Sequence, residues 1–279
     1  MGRLVPISFF GSVATIKVVF LLFLYLGLSG LIVSCTDDFS SESHVVSPGK
    51  GVRKIQTVGD DGDLHNRAIA AVYATSLPTL TKYTLASGEV VLSRASCDTI
   101  VSRIKNWAYQ NYSVSAVDAA VDTLWSVINA SGMDTTIGGV HYIRNIKYKY
   151  QDLSNVLVSS GRLSSTAKSV IAPIIASADA NDDIANVHDD ILAVNPSSYS
   201  YPTNNQLAEF RLIADSSFSY WTDTTNPGAN RARFKLSKGS WVIVGDTIGG
   251  IIGMMGGGIS SWLCGGYASV YLNETLPDY

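Results

Sequence analysis

The chain has 279 residues, of which 46% are hydrophobic and 15% are charged, and its formal net charge at pH 7 is −3. This composition provides enough apolar material for a sizeable core, and the length allows one large domain or two small ones. The sequence contains no basic block, so it lacks the positive footprint of nucleic-acid binding, and we expect no nucleic-acid partner.

The first 34 residues have the pattern of a secretory signal peptide. Arg3 and Lys17 supply positive charge, and the run from Val18 to Ser34, VVFLLFLYLGLSGLIVS, has no charged residue. The run is short for a transmembrane helix and ends on small residues, as the hydrophobic region of a signal peptide does. We predict that residues 1–34 are a signal peptide. An uncleaved anchor helix is the alternative.

A cysteine follows this run directly, in residues 32–35, which read IVSC. The order resembles the bacterial lipobox, in which an aliphatic residue and two permissive positions, the last of them small, precede an obligatory cysteine. The resemblance implies that Cys35 carries a diacylglycerol, becomes the new N-terminus and anchors the protein through acyl chains such as palmitate. Asp37 and Asp38 resemble the surface-export signal of some outer-membrane lipoproteins, although an ordinary polar tether also accounts for them. We expect a lipid-anchored protein of the bacterial cell envelope, with the outer membrane and its surface favoured.

A polar tether leads from the lipidated cysteine into the domain. Residues 35–57 have the composition of a tether, and residues 58–279 form a single predicted domain that ends in the glycine-rich segment 245–269. With the first cysteine lipidated, Cys97 and Cys264 are left in the domain. The sequence leaves open whether they form a disulfide, which an exported compartment permits, or remain two buried thiols.

Apolar residues recur at intervals of three and four along most of the domain, which predicts amphipathic helices. The predicted helices span 60–76, 96–112, 115–129, 153–159, 163–178, 182–194 and 204–220. Segment 81–93 breaks at Ser87-Gly88 and predicts a short hairpin, whereas 138–150 leaves strand and helix open. Pro173 predicts a kink or a break within its helix. We therefore expect an all-α fold, a mostly helical bundle that allows one small hairpin.

The glycine-rich segment 245–269 carries a small residue at every fourth position. The members of this row are Gly245, Gly249, Gly253, Gly257, Ser261, Gly265 and Ser269. On a helix such a row forms a groove into which another backbone can pack closely. Each glycine costs about 1 kcal/mol relative to alanine in a helix, so packing has to compensate. Because the row drifts by about 40° per step, the helix is contacted on several sides or breaks at residues 256–258.

Two interpretations of this segment compete. From Thr247 to Leu272 there are 26 residues without a charge, which is long enough to cross a bilayer. Glycine contributes little to membrane insertion, however, and the serines of the segment weaken it further. We expect a glycine-zipper helix that is buried in the bundle and apolar on all sides. Membrane insertion is the alternative, because glycine zippers of this kind resemble those of pore-forming peptides and bacteriocins.

Catalytic signatures are scarce in this sequence. It contains no Walker A motif, no GxSxG, no HExxH and no CxxC, so no residue is assigned a catalytic role and no cofactor is expected. His65 lies beside Asp60, Asp61 and Asp63 at a predicted helix start. Acidic residues there complement the helix dipole, so we expect His65 to have a capping or packing role rather than an acid–base or metal-binding one.

A weak candidate metal site lies in the stretch DANDDIANVHDD at 179–190. Asp179, Asn181, Asp183 and Asp190 fall at positions 1, 3, 5 and 12 of an EF-hand-like calcium loop. The sixth position is Ile184 instead of the glycine that makes the sharp turn. A helix whose solvent-facing side carries aspartates is therefore the favoured interpretation, and no metal site is assigned.

Three short features together resemble a known group of proteins. Val58-Gly59 precedes His65-Asn66 at the start of a helix, SSFSYW ends another helix at 216–221, and the glycine-rich helix closes the chain. This layout resembles a group of uncharacterised bacterial surface lipoproteins. The resemblance implies localisation in the cell envelope and this architecture, and it implies no mechanism.

Three functions are consistent with these observations. The leading hypothesis is a non-enzymatic binding or structural lipoprotein, with a protein or a glycan as its unidentified partner. The second is a membrane-active protein that inserts its glycine-rich segment into a bilayer. The third is a hydrolase whose site is assembled only in the fold, which predicts a polar cleft where histidine and aspartate converge.

Overall fold

Nine α-helices and one small sheet make up the part of the chain that the structure, a computed structural model, describes: residues 61–180, 184–229, 236–254 and 258–276. The helices are α1 (Asp61–Tyr73), α2 (Arg94–Ala108), α3 (Val114–Ala130), α4 (Ile146–Ser159), α5 (Ser165–Ala180), α6 (Ile184–Ala193), α7 (Thr203–Thr222), α8 (Leu236–Met254) and α9 (Gly258–Thr275). The predicted helical bundle is confirmed. The signal peptide, Cys35 and the tether lie outside the described residues, so the structure does not bear on them.

The sheet has four antiparallel strands in the order β1-β2-β4-β3. They are β1 (Lys82–Thr84), β2 (Val90–Ser93), β3 (Asp134–Ile137) and β4 (Val140–Ile143). The hairpin predicted in 81–93 is confirmed as the β1–β2 pair. A second hairpin, β3–β4, turns at Gly138 and Gly139, which both have positive φ, as a tight hairpin turn requires. The ambiguous segment 138–150 holds both elements, since β4 ends there and α4 begins.

Two helices start directly where strands end. The Ser93 hydroxyl accepts a hydrogen bond from the backbone N–H of Ser96 at 3.2 Å and caps α2 after β2. The Asn145 side chain accepts from the backbone N–H of Lys147 at 2.8 Å and caps α4 after β4. These caps satisfy amide groups that the first helical turn leaves without a partner. The sheet thereby fixes the starting points of α2 and α4.

Helix α5 runs without interruption through Pro173, so of the kink or break predicted there, the break does not occur. A proline in a helix interior removes one backbone hydrogen bond and costs about 3 kcal/mol. Here the proline is exposed, while Ile171, Ile174 and Ile175 on the other side of α5 are buried. Burial of these side chains offsets the local cost and keeps one helix.

The glycine-rich segment forms two antiparallel helices, α8 and α9, instead of one helix. The small residues of α8 lie directly against those of α9. A side chain added at Gly249 would place its Cβ 2.5 Å from the carbonyl oxygen of Cys264, and one added at Gly253 would meet the backbone of Ser260. The predicted groove is therefore real, and the second half of the same small-residue row fills it. Gly257 lies outside the described residues.

This α8–α9 hairpin is enclosed by the other helices. All described side chains from Lys238 to Ile252 and from Ser260 to Asn273 are buried. Helix α7 packs against α8, while α1, α2 and α3 pack against α9. The burial of the glycine zipper in the bundle is thus confirmed. Among the described helices, none combines the length and the hydropathy needed to cross a membrane.

The close contact between α8 and α9 predicts unequal effects of alanine at two neighbouring glycines. Gly249→Ala should lower the free energy of unfolding by about 2 to 3 kcal/mol, because its methyl group meets backbone atoms that cannot rotate away. Gly250→Ala should change it by less than about 1 kcal/mol, because its methyl group meets the Ile213 side chain at 3.1 Å and alanine favours the helix. Urea unfolding followed by tryptophan fluorescence measures both values. Equal effects of the two substitutions would contradict the proposed backbone contact.

Candidate functional site

The most unusual group in the core is the carboxyl group of Asp246 on α8. It follows the first glycine of the small-residue row and is fully buried. It is also the only charged residue between positions 239 and 273. A buried carboxylate costs several kcal/mol unless hydrogen bonds or an opposite charge compensate for the lost water. The stability of the core therefore depends on the partners of Asp246.

Three side chains from three different helices converge on one oxygen of Asp246. Oδ2 accepts a hydrogen bond from the hydroxyl of Ser217 on α7 and another from the hydroxyl of Ser269 on α9, the latter at 2.9 Å. His65 Nε2 on α1 lies 3.5 Å from the same oxygen. Ser269 in turn accepts from the indole N–H of Trp221 at 2.9 Å. The cluster thus connects the hairpin to α1 and α7.

The orientation of His65 follows from its neighbour Asn66. The Asn66 amide nitrogen donates to the backbone carbonyl of Ser216 at 2.9 Å, which leaves its Oδ1 to accept from His65 Nδ1 at 3.0 Å. With Nδ1 donating, His65 Nε2 can bond to Asp246 only if one proton lies between them. The two atoms lie 3.5 Å apart and make no hydrogen bond, so their contact is favourable only while a proton lies between them.

Glycine makes room for this histidine. A Cβ at Gly265 on α9 would lie 2.9 Å from His65 Cδ2, and one at Gly62 would overlap the Ser216 hydroxyl. His65 therefore has the packing role that we expected, but it packs in the core, against the α8–α9 hairpin. Gly265 therefore allows both the contact with His65 and the close packing of α9 against α8.

A second buried carboxyl group lies nearby on α7. Glu209 is nearly fully buried and accepts a hydrogen bond from the hydroxyl of Ser261 on α9. It is also hydrogen-bonded to Asp61 at the start of α1, which is buried as well. A hydrogen bond between two carboxyl groups requires a proton on one of them. This second contact again links α1, α7 and the hairpin.

Burial controls the protonation of both carboxyl groups. Loss of hydration raises the pKa of Asp246 above its ordinary value, and His65, Ser217 and Ser269 oppose this shift only in part. Burial likewise raises the pKa of Glu209, against the lowering effects of Ser261, Asp61 and His65. Both shifts are towards the uncharged form, relative to a carboxyl group in water.

The convergence of serine, histidine and aspartate does not have the geometry of a hydrolase. The Ser217 hydroxyl donates to Asp246 and not to His65, so no base activates the serine. Ser217, His65 and Asp246 are all fully buried, so no substrate reaches them in this conformation. The histidine and the aspartate converge as the hydrolase hypothesis expects, but in the core instead of a cleft.

The two serines of the small-residue row have polar roles that their spacing did not reveal. Ser261 donates to Glu209, and Ser269 donates to Asp246. The glycines Gly245, Gly249, Gly253 and Gly265 are the members that lie at close helix contacts. The sequence analysis missed this cluster, and the one feature that could have indicated it is the single charged residue, Asp246, in an otherwise uncharged segment.

The weak calcium candidates have other partners in the structure. Asp179 accepts from the indole N–H of Trp241 at 3.2 Å, and Asp190 accepts from the Ser177 hydroxyl at 2.9 Å. Asn181 and Asp183 lie outside the described residues. Within the part of the chain that the structure covers, no three His, Cys, Asp or Glu side chains are grouped to hold a metal ion.

Cys97 and Cys264 are both buried free thiols, which settles the alternative that the sequence left open. Burial raises the pKa of each to about 12. Because the thiolate is the reactive form, both thiols are unreactive while the fold stays closed.

Comparison with protein-family profiles, with curated protein sequences and with solved structures finds no match to this chain. The resemblance to bacterial surface lipoproteins stays a prediction.

The Asp246 cluster predicts a clear difference between two substitutions. Asp246→Ala should lower the free energy of unfolding by about 3 kcal/mol, because it leaves His65, Ser217 and Ser269 without their common acceptor. Asp246→Asn should cost less, about 1 to 2 kcal/mol, because the amide oxygen still accepts from Ser217 and Ser269 while the amide cannot hold a proton shared with His65. Urea unfolding at pH 7 measures both, with the exposed substitution Asp98→Asn as control. If Asp246→Ala is as stable as the wild type, the cluster does not contribute to stability.

Proposed function

We propose that this protein is a lipid-anchored component of the bacterial cell envelope that acts by binding or as a structural element, without catalysis. Its acyl chains, attached at Cys35, would hold it in the outer membrane, and residues 35–57 would separate the helical domain from the lipid. The lipobox-like residues 32–35 support the anchor.

The observation that carries the non-catalytic proposal is the burial of the polar cluster. His65 and Asp246 are fully buried, and the hydrogen bonds of Asp246 with Ser217 and Ser269, together with its 3.5 Å contact with His65, connect helices of the same domain. An enzyme needs such groups at a position that a substrate can contact. In this domain they hold the hairpin in place, which leaves the outer surface for recognition.

Exposed tyrosines support a recognition role for that surface. Tyr83, Tyr148 and Tyr201 are 43%, 47% and 76% exposed, and Tyr83 also packs against the ring of Tyr142. Tyrosine combines an apolar ring with a hydroxyl and is enriched where proteins contact other molecules. A protein or a glycan of the cell surface suits this chemistry.

The membrane-active alternative rests on the α8–α9 hairpin. The hairpin carries one charged residue in 35 positions, 239–273, and other helices enclose it. Vesicles loaded with a fluorescent dye distinguish the two functions. The proposed binding protein leaves them intact, whereas dye release by the wild type that is lost in a hairpin variant would favour the alternative.

The lipid anchor predicts a specific effect of one cysteine substitution. In cells given labelled palmitate, Cys35→Ser should abolish incorporation of the label and release the protein from the membrane fraction, because only this cysteine follows the lipobox-like residues. Cys97→Ser is the matched control, because Cys97 is a buried thiol, and it should retain both label and membrane association. Labelling of Cys35→Ser would show that the anchor lies elsewhere.

A further inference from the structure

Four titratable side chains meet where the α8–α9 hairpin contacts α1 and α7. Asp61 and His65 come from α1, Glu209 from α7 and Asp246 from α8, and each is 5% exposed or less. We call them the acid cluster. The remaining polar partners of Glu209 and Asp246 are the hydroxyl groups of three serines, Ser217, Ser261 and Ser269.

The hydrogen bonds of this cluster require protons. Glu209 and Asp61 can bond to each other only while one of them is protonated. His65 Nε2 and Asp246 Oδ2 lie 3.5 Å apart without a hydrogen bond, and because Asn66 fixes the direction of the histidine, the two atoms attract each other only while one proton lies between them. The His65 side chain interacts electrostatically with both Glu209 and Asp246. One imidazole can carry only one positive charge, so it can balance the negative charge of only one of these two carboxylates.

The position of these bonds gives them a mechanical role. The Ser269–Asp246 bond lies within the hairpin, and the other contacts join α1 or α7 to each other or to the hairpin. Gly265 leaves the space on α9 that the His65 side chain occupies. We propose that the acid cluster is a proton-dependent lock, which holds the hairpin against α1 and α7 while its two shared protons are bound and loosens it when rising pH removes them. This inference does not depend on the lipid anchor.

The direction of the pH effect follows from the burial of the carboxyl groups. Burial raises the pKa of Glu209 and of Asp246 above the ordinary values of 4.5 and 3.8. The folded state therefore keeps protons at pH values where the unfolded chain has lost them. The stability that these groups contribute is complete below the ordinary values and is lost as pH rises through the raised ones.

Surface carboxylates have the opposite effect and have to be separated from the lock. The Lys149 side chain lowers the pKa of Asp152, which is exposed, so any stability from that pair is lost on acidification below about pH 4. A comparison of wild type with single variants isolates each contribution. Glu209→Gln tests the lock because glutamine mimics the protonated acid, and Asp152→Asn is the matched control.

The test is urea unfolding of the full-length protein in detergent between pH 5 and pH 8.5, a range that begins just above the ordinary carboxyl pKa of about 4.3 and ends about four units above it. The unfolding equilibrium constant of the wild type, divided by that of Glu209→Gln, should rise with pH by up to tenfold per unit while one extra proton is held. The same ratio for Asp152→Asn should stay constant. A constant ratio for Glu209→Gln overturns the proposal. Asp246→Asn provides the same test through the second shared proton.

Thiol labelling shows whether the hairpin itself is released. Cys264 lies on α9 and Cys97 on α2, and both are buried. The rate of alkylation of each, divided by its rate in the urea-unfolded chain at the same pH, reports local opening. Cys264 should become at least tenfold more accessible between pH 5 and pH 8.5 in the wild type and not in Glu209→Gln. Cys97 is hydrogen-bonded to Tyr267 on α9, so its protection also depends on the hairpin. Unchanged protection of Cys264 over this pH range would contradict a lock on the hairpin.

Discussion

The direct backbone contact between α8 and α9 is the constraint on which the rest of this domain depends. At Gly249 and Gly253 the facing helix lies so close that no side chain fits. Two consecutive helices with few charged residues can approach in this way only because small residues recur every four positions on both. The resulting pair provides a long buried element around which the amphipathic helices pack.

This contact also determines where the polar groups lie. Once α8 and α9 are antiparallel, Asp246 on one faces Ser269 on the other, and Gly265 leaves a space that His65 occupies. The core is therefore closed by hydrogen bonds as well as by apolar packing. Polar networks of this kind specify one arrangement more strongly than apolar contacts do, because each partner that is lost leaves a buried group without a bond.

Much of the architecture follows from local patterns, and the polar cluster does not. Apolar residues at helical spacing predicted the amphipathic helices, and Ser87-Gly88 predicted the first hairpin. Strand β3, with only four residues, has too short a pattern to be recognised. The small-residue row predicted a close helix contact, but it did not identify the partner. The partner is the second half of the same row, which lies on a separate helix, α9, because α8 ends at Met254.

The His65–Asp246 contact joins residues that are far apart in the sequence, and no local pattern connects them. The acidic neighbours of His65 instead suggested a role at the helix start. A histidine near a helix terminus and a lone aspartate in an apolar segment each have an ordinary explanation when considered separately. Only the packing of α1 against α9 brings them together.

A double-mutant cycle between His65 and Asp246 tests most directly whether the buried pair holds the hairpin in the bundle. His65→Ala, Asp246→Ala and the double variant are compared with the wild type by urea unfolding at pH 6. We predict that the two single substitutions are not additive and that the coupling free energy is about 2 kcal/mol in favour of the pair. A coupling free energy of zero would contradict the account, because it would show that the two side chains contribute to stability independently.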